Sequence, residues 1–112
     1  MPYVPDRGDI IYIDFSPQAG HEQANRRPAL VLSPSAYNGL VGLVVVVPIT
    51  SRIKGYRFEV ALPDALGTRG VILSDQVKSF DWRARNAAFE ETVPEATLDE
   101  VIAKVAALLN LT

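Results

Sequence analysis

Apolar residues follow a strand-like pattern over the first two thirds of the chain. The apolar runs are rich in β-branched and aromatic residues, which favour strands, and turn residues separate them. They cover residues 10–15, 29–32, 43–47, 58–62 and 70–73, the last leading into residues 74–78. Pro34 and the pair Asn38-Gly39 predict a turn. The spacing predicts a mainly β fold, a small antiparallel sheet or barrel, with the valine-rich run as a central strand buried on both faces.

The last quarter of the chain has the pattern of an amphipathic α-helix. Its apolar residues recur at helical spacing and form one stripe: Leu98, Val101, Ile102, Val105, Leu108 and Leu109. Residues 97–100 have the Ser/Thr-x-x-Glu form of a capping box, with Pro94 just upstream, so the helix is predicted to begin there. We expect this helix to close the open face of the sheet by packing on the core.

Length and composition predict one folded domain over residues 1–112, since 48% of the residues are apolar. The chain has no cysteine, which excludes disulfides and Cys-based zinc sites and is compatible with a reducing cytoplasm. The longest apolar run, residues 40–49, is too short to span a bilayer. Residues 1–6 carry no apolar signal segment, so we expect a cytoplasmic protein outside the membrane.

The charge is unevenly distributed along the chain. The formal net charge is −2, but residues 26–85 carry nine basic and four acidic side chains, and both flanking segments are acidic. A basic centre of this kind can produce a local positive field in an acidic protein. A mixed, solvated surface is the alternative, and charge alone does not separate the two.

A dense polar segment, residues 20–28, joins the first two predicted strands. It contains His21, the one histidine of the chain, together with Glu22, Gln23, Arg26 and Arg27. A turn needs only residues such as Gly, Asn or Pro, and polar groups at the mouth of a rigid sheet are often functional. The sequence shows no cluster of Cys, His and carboxylate ligands, so we expect neither a metal nor a cofactor.

Several short motifs occur together at characteristic separations. They are Glu22-Gln23, Arg26-Arg27-Pro28, Pro48-Ile49-Thr50, Lys54-Gly55-Tyr56, Asp75-Gln76 and Trp82-Arg83-Ala84-Arg85. With these motifs the chain resembles, nearly end to end, the MazF/PemK family of bacterial toxin endoribonucleases. The resemblance implies an SH3-like small antiparallel β-barrel with a C-terminal helix. It also implies a homodimer that cuts single-stranded RNA at short sequences without metal and is neutralised by a cognate antitoxin.

The resemblance assigns Arg27 and Thr50 to the cleavage centre. In the simplest metal-free reaction, the 2′-hydroxyl attacks the adjacent phosphorus and expels the 5′-oxygen, leaving a 2′,3′-cyclic phosphate. The Arg27 guanidinium fits phosphate oxygens, and its ordinary pKa, above about 12, favours charge stabilisation first and general acid catalysis second. The Thr50 hydroxyl can donate to a phosphoryl oxygen or orient Arg27. The structural alternatives are a salt bridge for Arg27 and a local backbone hydrogen bond for Thr50.

His21 and Asp75 are the candidates for proton transfer. His21 matches a histidine of PemK-like members, and its ordinary pKa of about 6.5 suits acid or base work; a solvated side chain is as plausible. Asp75 shares one strand side with Val71 and Leu73, so we expect it partly buried or turned out by a bulge. It is either a general base or a structural carboxylate. PemK-like members have an arginine where this chain has Leu73, so Arg27 or His21 must protonate the leaving oxygen here.

A further set of residues is predicted to bind the RNA by contacts to phosphates or bases. The set is Phe15, Glu22, Gln23, Arg52, Lys54, Tyr56, Gln76 and Lys78. Phe15 lies in an apolar strand and fits the core better, and Trp82 fits beneath a surface arginine or in a dimer seam. Two other functions remain open: a CcdB-like gyrase-binding toxin, which needs a tryptophan near the chain end, and a noncatalytic SH3-like adaptor.

Overall fold

The computed structural model describes residues 2–15 and 26–111. The predictions for His21, Glu22 and Gln23 therefore lie outside the described residues. In chain order the elements are β1 (Asp9–Asp14), β2 (Arg26–Val31), α1 (Ser35–Val41), β3 (Leu43–Thr50), β4 (Glu59–Ala61), β5 (Val71–Leu73), β6 (Lys78–Asp81), β7 (Ala88–Thr92) and α2 (Glu95–Leu108). The predicted fold, mainly antiparallel β with a C-terminal helix, is confirmed.

Strand β3 is the centre of the sheet. One of its edges pairs with β2, and the other pairs with β6 at the start of β3 and with β5 at its end. The strand order is β4-β5-β3-β2-β1-β7, with β6 beside β3. Pro48 lies between the segments that pair with β6 and β5. A proline has no N–H to donate, so it is tolerated where the ladder is interrupted.

Successive side chains of β1, β2 and β3 alternate between two cores, one on each face of the sheet. The first core contains Ile10, Leu30, Leu32, Val47, Ile49, Val60, Leu62, Ile72, Val93 and Val101. The second contains Ile11, Ile13, Ala29, Val31, Val44, Val46, Phe80 and Trp82. The valine-rich run contributes to both cores, so the predicted central strand with two buried faces is confirmed.

Helix α2 covers the first core, as predicted, through Leu98, Val101, Ile102 and Val105. The capping-box prediction is wrong, because the helix begins at Glu95, two residues before Thr97. Pro94 already has a φ of −62° at the N-cap position, so the helix starts directly after it. Of the helices in the described ranges, none is long and apolar enough to cross a membrane.

The turn predicted around residues 34–39 is wrong, because this segment forms α1. Asn38 is fully buried in the helix, and its amide nitrogen donates hydrogen bonds to the carbonyl oxygens of Pro5 (2.7 Å) and Ser33 (2.9 Å). The backbone carbonyl of Asn38 accepts the indole N–H of Trp82 at 2.9 Å. Two of these partners, Pro5 and Trp82, are distant in sequence. A prediction from the Asn38-Gly39 pair alone does not include these contacts and therefore gives a turn.

The fifth strand is shorter than its pattern indicates. It ends at Leu73, and Ser74 and Asp75 form a turn in which the Gln76 N–H donates to the Leu73 carbonyl. The strand assignment of Asp75 is therefore wrong, although its side chain is partly buried, one of the two expected outcomes. Strand β7 was not predicted at all, because it is a largely exposed edge strand without clear alternation.

The backbone ladder does not close the sheet into a complete barrel, since no β4–β7 pairing occurs in the part of the chain that the structure describes. A side chain bridges this seam instead. The Glu91 carboxylate, on β7, accepts hydrogen bonds from the Thr68 hydroxyl (2.6 Å), the Thr68 N–H (2.6 Å) and the Gly67 N–H (3.1 Å). These bonds, led by the hydroxyl of Thr68, hold the pKa of Glu91 below its ordinary value.

The backbone of Gly70 lies directly against the end of β3. A Cβ at position 70 would overlap the carbonyl oxygen of Thr50 and lie 2.8 Å from its carbonyl carbon. The φ of Gly70 is +114°, a conformation that other residues rarely adopt. Only glycine therefore permits this approach, which determines how the 62–70 loop leaves the Thr50 strand end.

We predict that Gly70→Ala lowers the free energy of unfolding by about 2–4 kcal/mol, because the methyl group overlaps backbone and the positive φ is strained. Chemical denaturation of the purified protein measures this change. Gly67→Ala is the matched control, since its Cβ would be in ordinary contact at 3.6 Å from a Glu91 carboxylate oxygen. Equal stability of the two variants would contradict the close approach.

Candidate active site

A cavity of about 790 Å³ opens where β2 begins and β3 ends, between the loops of residues 51–58 and 62–70. We call it the cationic cavity. Its lining comprises Tyr12, Arg27, Pro28, Ile49, Thr50, Ser51, Arg52, Lys54, Tyr56, Glu59, Gly67, Thr68, Arg69, Leu73 and Gln76. Ile49 belongs to both this wall and the first core, so the cavity is built on the rigid part of the sheet.

Arg27 and Thr50 come together because of the β2–β3 register. The pairs run from Val31 opposite Val46 to Ala29 opposite Pro48. Continuing this register by two residues places Arg27 opposite Thr50, and both side chains line the cationic cavity. Residues opposite each other in an antiparallel pair present their side chains to the same face.

The two adjacent arginines of β2 have different environments. Arg26 makes an ion pair with Asp14 at 3.1 Å, across the β1–β2 pair, and does not line the cavity. This is the only salt bridge among residues 2–15 and 26–111, so within those ranges Arg27 has no ion-pair partner. The predicted salt-bridge alternative therefore describes Arg26, and Arg27 faces the cavity.

The Thr50 hydroxyl makes the local bond considered from the sequence and also lines the cavity. Its oxygen accepts the Arg52 N–H at 3.1 Å. A hydroxyl that accepts one hydrogen bond keeps its own proton to donate. Thr50 is thus held in place by the loop backbone while its O–H can still donate to an anion in the cavity.

The 51–58 loop is held by Glu59, a residue that the sequence reasoning missed. Its carboxylate accepts the backbone N–H groups of Lys54 (2.9 Å) and Gly55 (2.8 Å). The loop thereby brings the predicted residues Arg52, Lys54 and Tyr56 to the cavity wall. A glutamate a few residues after Lys-Gly is a weak sequence signal. Its partners are backbone N–H groups, which do not depend on the type of residue that carries them.

Asp75 and Gln76 follow β5, and of the two only Gln76 lines the cavity. The Asp75 carboxylate accepts the Tyr56 hydroxyl at 2.8 Å. This hydrogen bond is the main reason why the pKa of Tyr56 is raised above its ordinary value. Asp75 thus contacts the site through the phenol of Tyr56.

Two predicted RNA contacts lie elsewhere. Phe15 packs edge-on against Phe80, with ring centroids 5.0 Å apart, at the border of the second core. Lys78 is exposed on β6 opposite Val46 and is not among the cavity-lining residues. Trp82 is buried beneath Arg83, whose guanidinium carbon lies 4.3 Å from the indole centroid, as predicted.

The charges of the cavity wall are mainly positive. Arg27, Arg52, Lys54 and Arg69 line it, whereas Glu59 supplies the one carboxylate, which already accepts two backbone hydrogen bonds. Arg69 was not singled out from the sequence. No group of three or more His, Asp or Glu side chains suited to a metal ion occurs within the described stretches of the chain. This wall is chemically suited to a polyanion.

We predict that Asp75→Asn lowers the pKa of Tyr56 toward its ordinary value of about 10. The Asp75 carboxylate favours the neutral phenol of Tyr56, so the hydrogen bond stabilises the fold below pH about 10, the ordinary pKa of tyrosine. This stabilisation is lost as the pH rises through the higher pKa of Tyr56 in the folded state. Titration of the tyrosine ¹³Cζ signals by NMR measures the change, and Tyr56→Phe identifies the signal. An unchanged Tyr56 titration in Asp75→Asn would show that the hydrogen bond does not form in solution.

Known proteins share both this sequence and this fold. The chain is 50% identical to the endoribonuclease toxin MazF of Escherichia coli K12 over 108 residues, 96% of each chain. It is 40% identical to an Escherichia coli endoribonuclease PemK, over 94% of this chain and 82% of that protein. The structure superposes on MazF in a MazE-MazF crystal structure from Deinococcus radiodurans with a TM-score of 0.93 and 53% identity, over 99% of this chain and 100% of that one.

The family assignment rests on nearly the whole chain. Residues 6–109 match the family described as PemK-like, MazF-like toxin of type II toxin-antitoxin system. A separate crystal structure of Deinococcus radiodurans MazF has a TM-score of 0.89 and 54% identity, over 97% of this chain and 99% of that one. The predicted resemblance and its barrel-like fold are confirmed, and the chain belongs to the MazF/PemK family of toxins of type II toxin–antitoxin systems.

Proposed function

We propose that this chain, an endoribonuclease toxin of the MazF/PemK family, cleaves single-stranded RNA at a short sequence without metal. The observation that carries the proposal is the shared cavity of Arg27 and Thr50, surrounded by Arg52, Lys54 and Arg69. Forked guanidinium donors and a hydroxyl donor suit the phosphoryl oxygens of a scissile phosphodiester. The endoribonuclease names of the relatives favour this function over CcdB-like gyrase binding.

In the proposed reaction the RNA supplies its own nucleophile. A base removes the proton of the 2′-hydroxyl, the 2′-oxygen forms a bond to the adjacent phosphorus, and the bond from phosphorus to the 5′-oxygen breaks. An acid protonates the departing 5′-oxygen, which gives a 2′,3′-cyclic phosphate and a 5′-hydroxyl end. Arg27 and Thr50 donate to the non-bridging oxygens, where negative charge increases in the transition state.

The proton transfers are assigned to His21, Asp75 and Arg27. His21 has the ordinary pKa best suited to proton transfer near neutral pH. The Asp75 carboxylate keeps free lone pairs beside its bond to Tyr56, so it can act as base as well as orient that phenol. Arg27 serves as acid only in second place, since its guanidinium rarely loses a proton.

The proposed partners follow the family. We propose that the chain acts as a cytoplasmic homodimer and is neutralised by a cognate antitoxin. The antitoxin is supported by the MazE-MazF crystal structures from Deinococcus radiodurans, to which this chain is similar. An acidic, partly disordered antitoxin segment would cover the cationic cavity by charge complementarity. Analytical ultracentrifugation of the purified chain, alone and with its antitoxin, tests both assemblies. A chain that sediments as a monomer contradicts the homodimer, and one that does not bind the antitoxin contradicts the complex.

We predict that Arg27→Ala lowers kcat by at least about 100-fold without unfolding the protein, because one donor to the transition-state charge is lost. Arg26→Ala is the matched control. It removes the neighbouring charge on the same strand, but Arg26 is paired with Asp14 and does not line the cavity. Near-normal cleavage by a folded Arg27→Ala protein, or equal losses in both variants, would remove the assignment.

Cleavage itself is tested by mapping cut ends on a long RNA in excess EDTA. We predict recurrent cuts at one short sequence, with cyclic phosphate and 5′-hydroxyl ends, in the presence of the chelator. A phosphatase- and kinase-dependent ligation assay distinguishes these ends from 5′-phosphates. Cleavage that stops in EDTA and returns only with added divalent metal would contradict the proposed mechanism.

A further inference from the structure

The segment of residues 67–70 is the least expected part of the cavity wall. It lies in the 62–70 loop, carries none of the motifs singled out in the sequence, and contributes Gly67, Thr68 and Arg69 to the lining. Thr68 is buried, whereas Arg69 is exposed. The loop therefore places one exposed arginine, Arg69, in the wall of the cationic cavity.

Contacts on both sides of Arg69 hold the segment in place. On one side, Glu91 accepts three hydrogen bonds from Gly67 and Thr68, at 3.1, 2.6 and 2.6 Å. On the other side, the backbone of Gly70 lies against the Thr50 carbonyl, and its own carbonyl accepts the Leu62 N–H at 3.1 Å. Arg69 is thus the one position between two anchored neighbours, beside the residue that ends β3.

The charge of Arg69 is not neutralised by these contacts. Within residues 2–15 and 26–111 the only salt bridge is that of Arg26 with Asp14, so no described carboxylate pairs with Arg69. Glu91, the carboxylate that anchors the loop, directs its oxygens to the backbone and to the Thr68 hydroxyl. The anchor therefore holds the loop and leaves the guanidinium available to an anion.

We propose that Arg69 binds a phosphate of the RNA next to the scissile one, and that Glu91 is a positioning residue that holds the Arg69 loop against the cavity wall. The proposal rests on the proposed function, since it deepens the same site. The guanidinium acts on the RNA backbone and contributes affinity, while Arg27 and Thr50 act on the reacting phosphate.

Neutralising Glu91 changes the affinity for RNA in opposite directions for the two roles that this carboxylate can have. If Glu91 acts only through its charge, neutralising it makes the cavity more positive, and RNA binds more tightly. If it positions Arg69, the same neutralisation loosens the loop, and RNA binds more weakly. Glu91→Gln keeps the size of the side chain but replaces one acceptor oxygen with an amino group, so the variant separates these two effects.

The binding test uses the full-length protein and a fluorescent 2′-O-methyl oligonucleotide of the mapped cleavage sequence, which lacks the nucleophile. Anisotropy is measured from 50 to 300 mM KCl. For single strands, each lost phosphate contact reduces the slope of log K against log salt concentration by about 0.7. Arg69→Ala is expected to lose one such contact and about tenfold in affinity, and Arg69→Lys to retain part of both. Arg83→Ala, which removes an arginine stacked on Trp82 outside the cavity, should leave the slope unchanged.

Steady-state cleavage of the unmodified RNA supplies the second measurement. Arg69→Ala and Glu91→Gln are both expected to raise KM while kcat changes less than threefold, and the double variant is expected to match Arg69→Ala alone. Thr68→Val removes one of the anchoring bonds without any change of charge and should shift KM in the same direction. Thermal unfolding checks that each variant is folded.

The outcomes separate this inference from the proposed function. A wild-type protein that neither cuts nor binds the RNA overturns the proposed function. A wild-type protein that cuts, combined with an unchanged salt slope in Arg69→Ala, overturns the role of Arg69 alone. Tighter binding by Glu91→Gln, or a double variant that is weaker than Arg69→Ala, overturns the positioning role of Glu91.

Discussion

The antiparallel register of β3 is the constraint on which the rest of the molecule depends. The strand is paired on both edges, so it cannot shift by one residue without moving every side chain to the wrong core. This register, continued by two residues, brings Thr50 at the end of β3 opposite Arg27, while the backbone of Gly70 lies against Thr50. The proposed cleavage centre is therefore a consequence of how the two cores are packed.

Carboxylates stabilise the loops on both sides of this centre. Glu59 binds backbone N–H groups of the 51–58 loop, and Glu91 does the same for the 62–70 loop across the open seam of the sheet. Because these acidic groups are directed at the protein's own backbone, the arginines and lysine of the two loops are left facing the cavity. An acidic protein with a formal charge of −2 can thus present a basic site.

Much of the fold could be predicted from the sequence because period-two and period-3.6 patterns record which side chains are buried. The errors occur where distant contacts override a local signal. Asn38 is a turn residue by type but becomes helical and buried because Pro5 and Trp82 satisfy its polar groups. The turn at Ser74 ends a strand that the sequence analysis continued into residues 74–78, and β7 is an exposed edge strand that leaves little apolar pattern.

By itself, the sequence determined the main strands, the covering helix and, through its motifs, the family; the same resemblance gave Arg27 and Thr50 as the central pair of the proposed site. Only the tertiary structure showed why Arg27 and not the adjacent Arg26 faces the cavity, since Asp14 holds Arg26 in an ion pair. It also decided that Asp75 contacts Tyr56, and that Glu91, 23 residues after Thr68, anchors the loop of Arg69. The physical reason is that hydrogen bonds and ion pairs depend on distances of a few ångströms, which folding establishes between residues far apart in the chain.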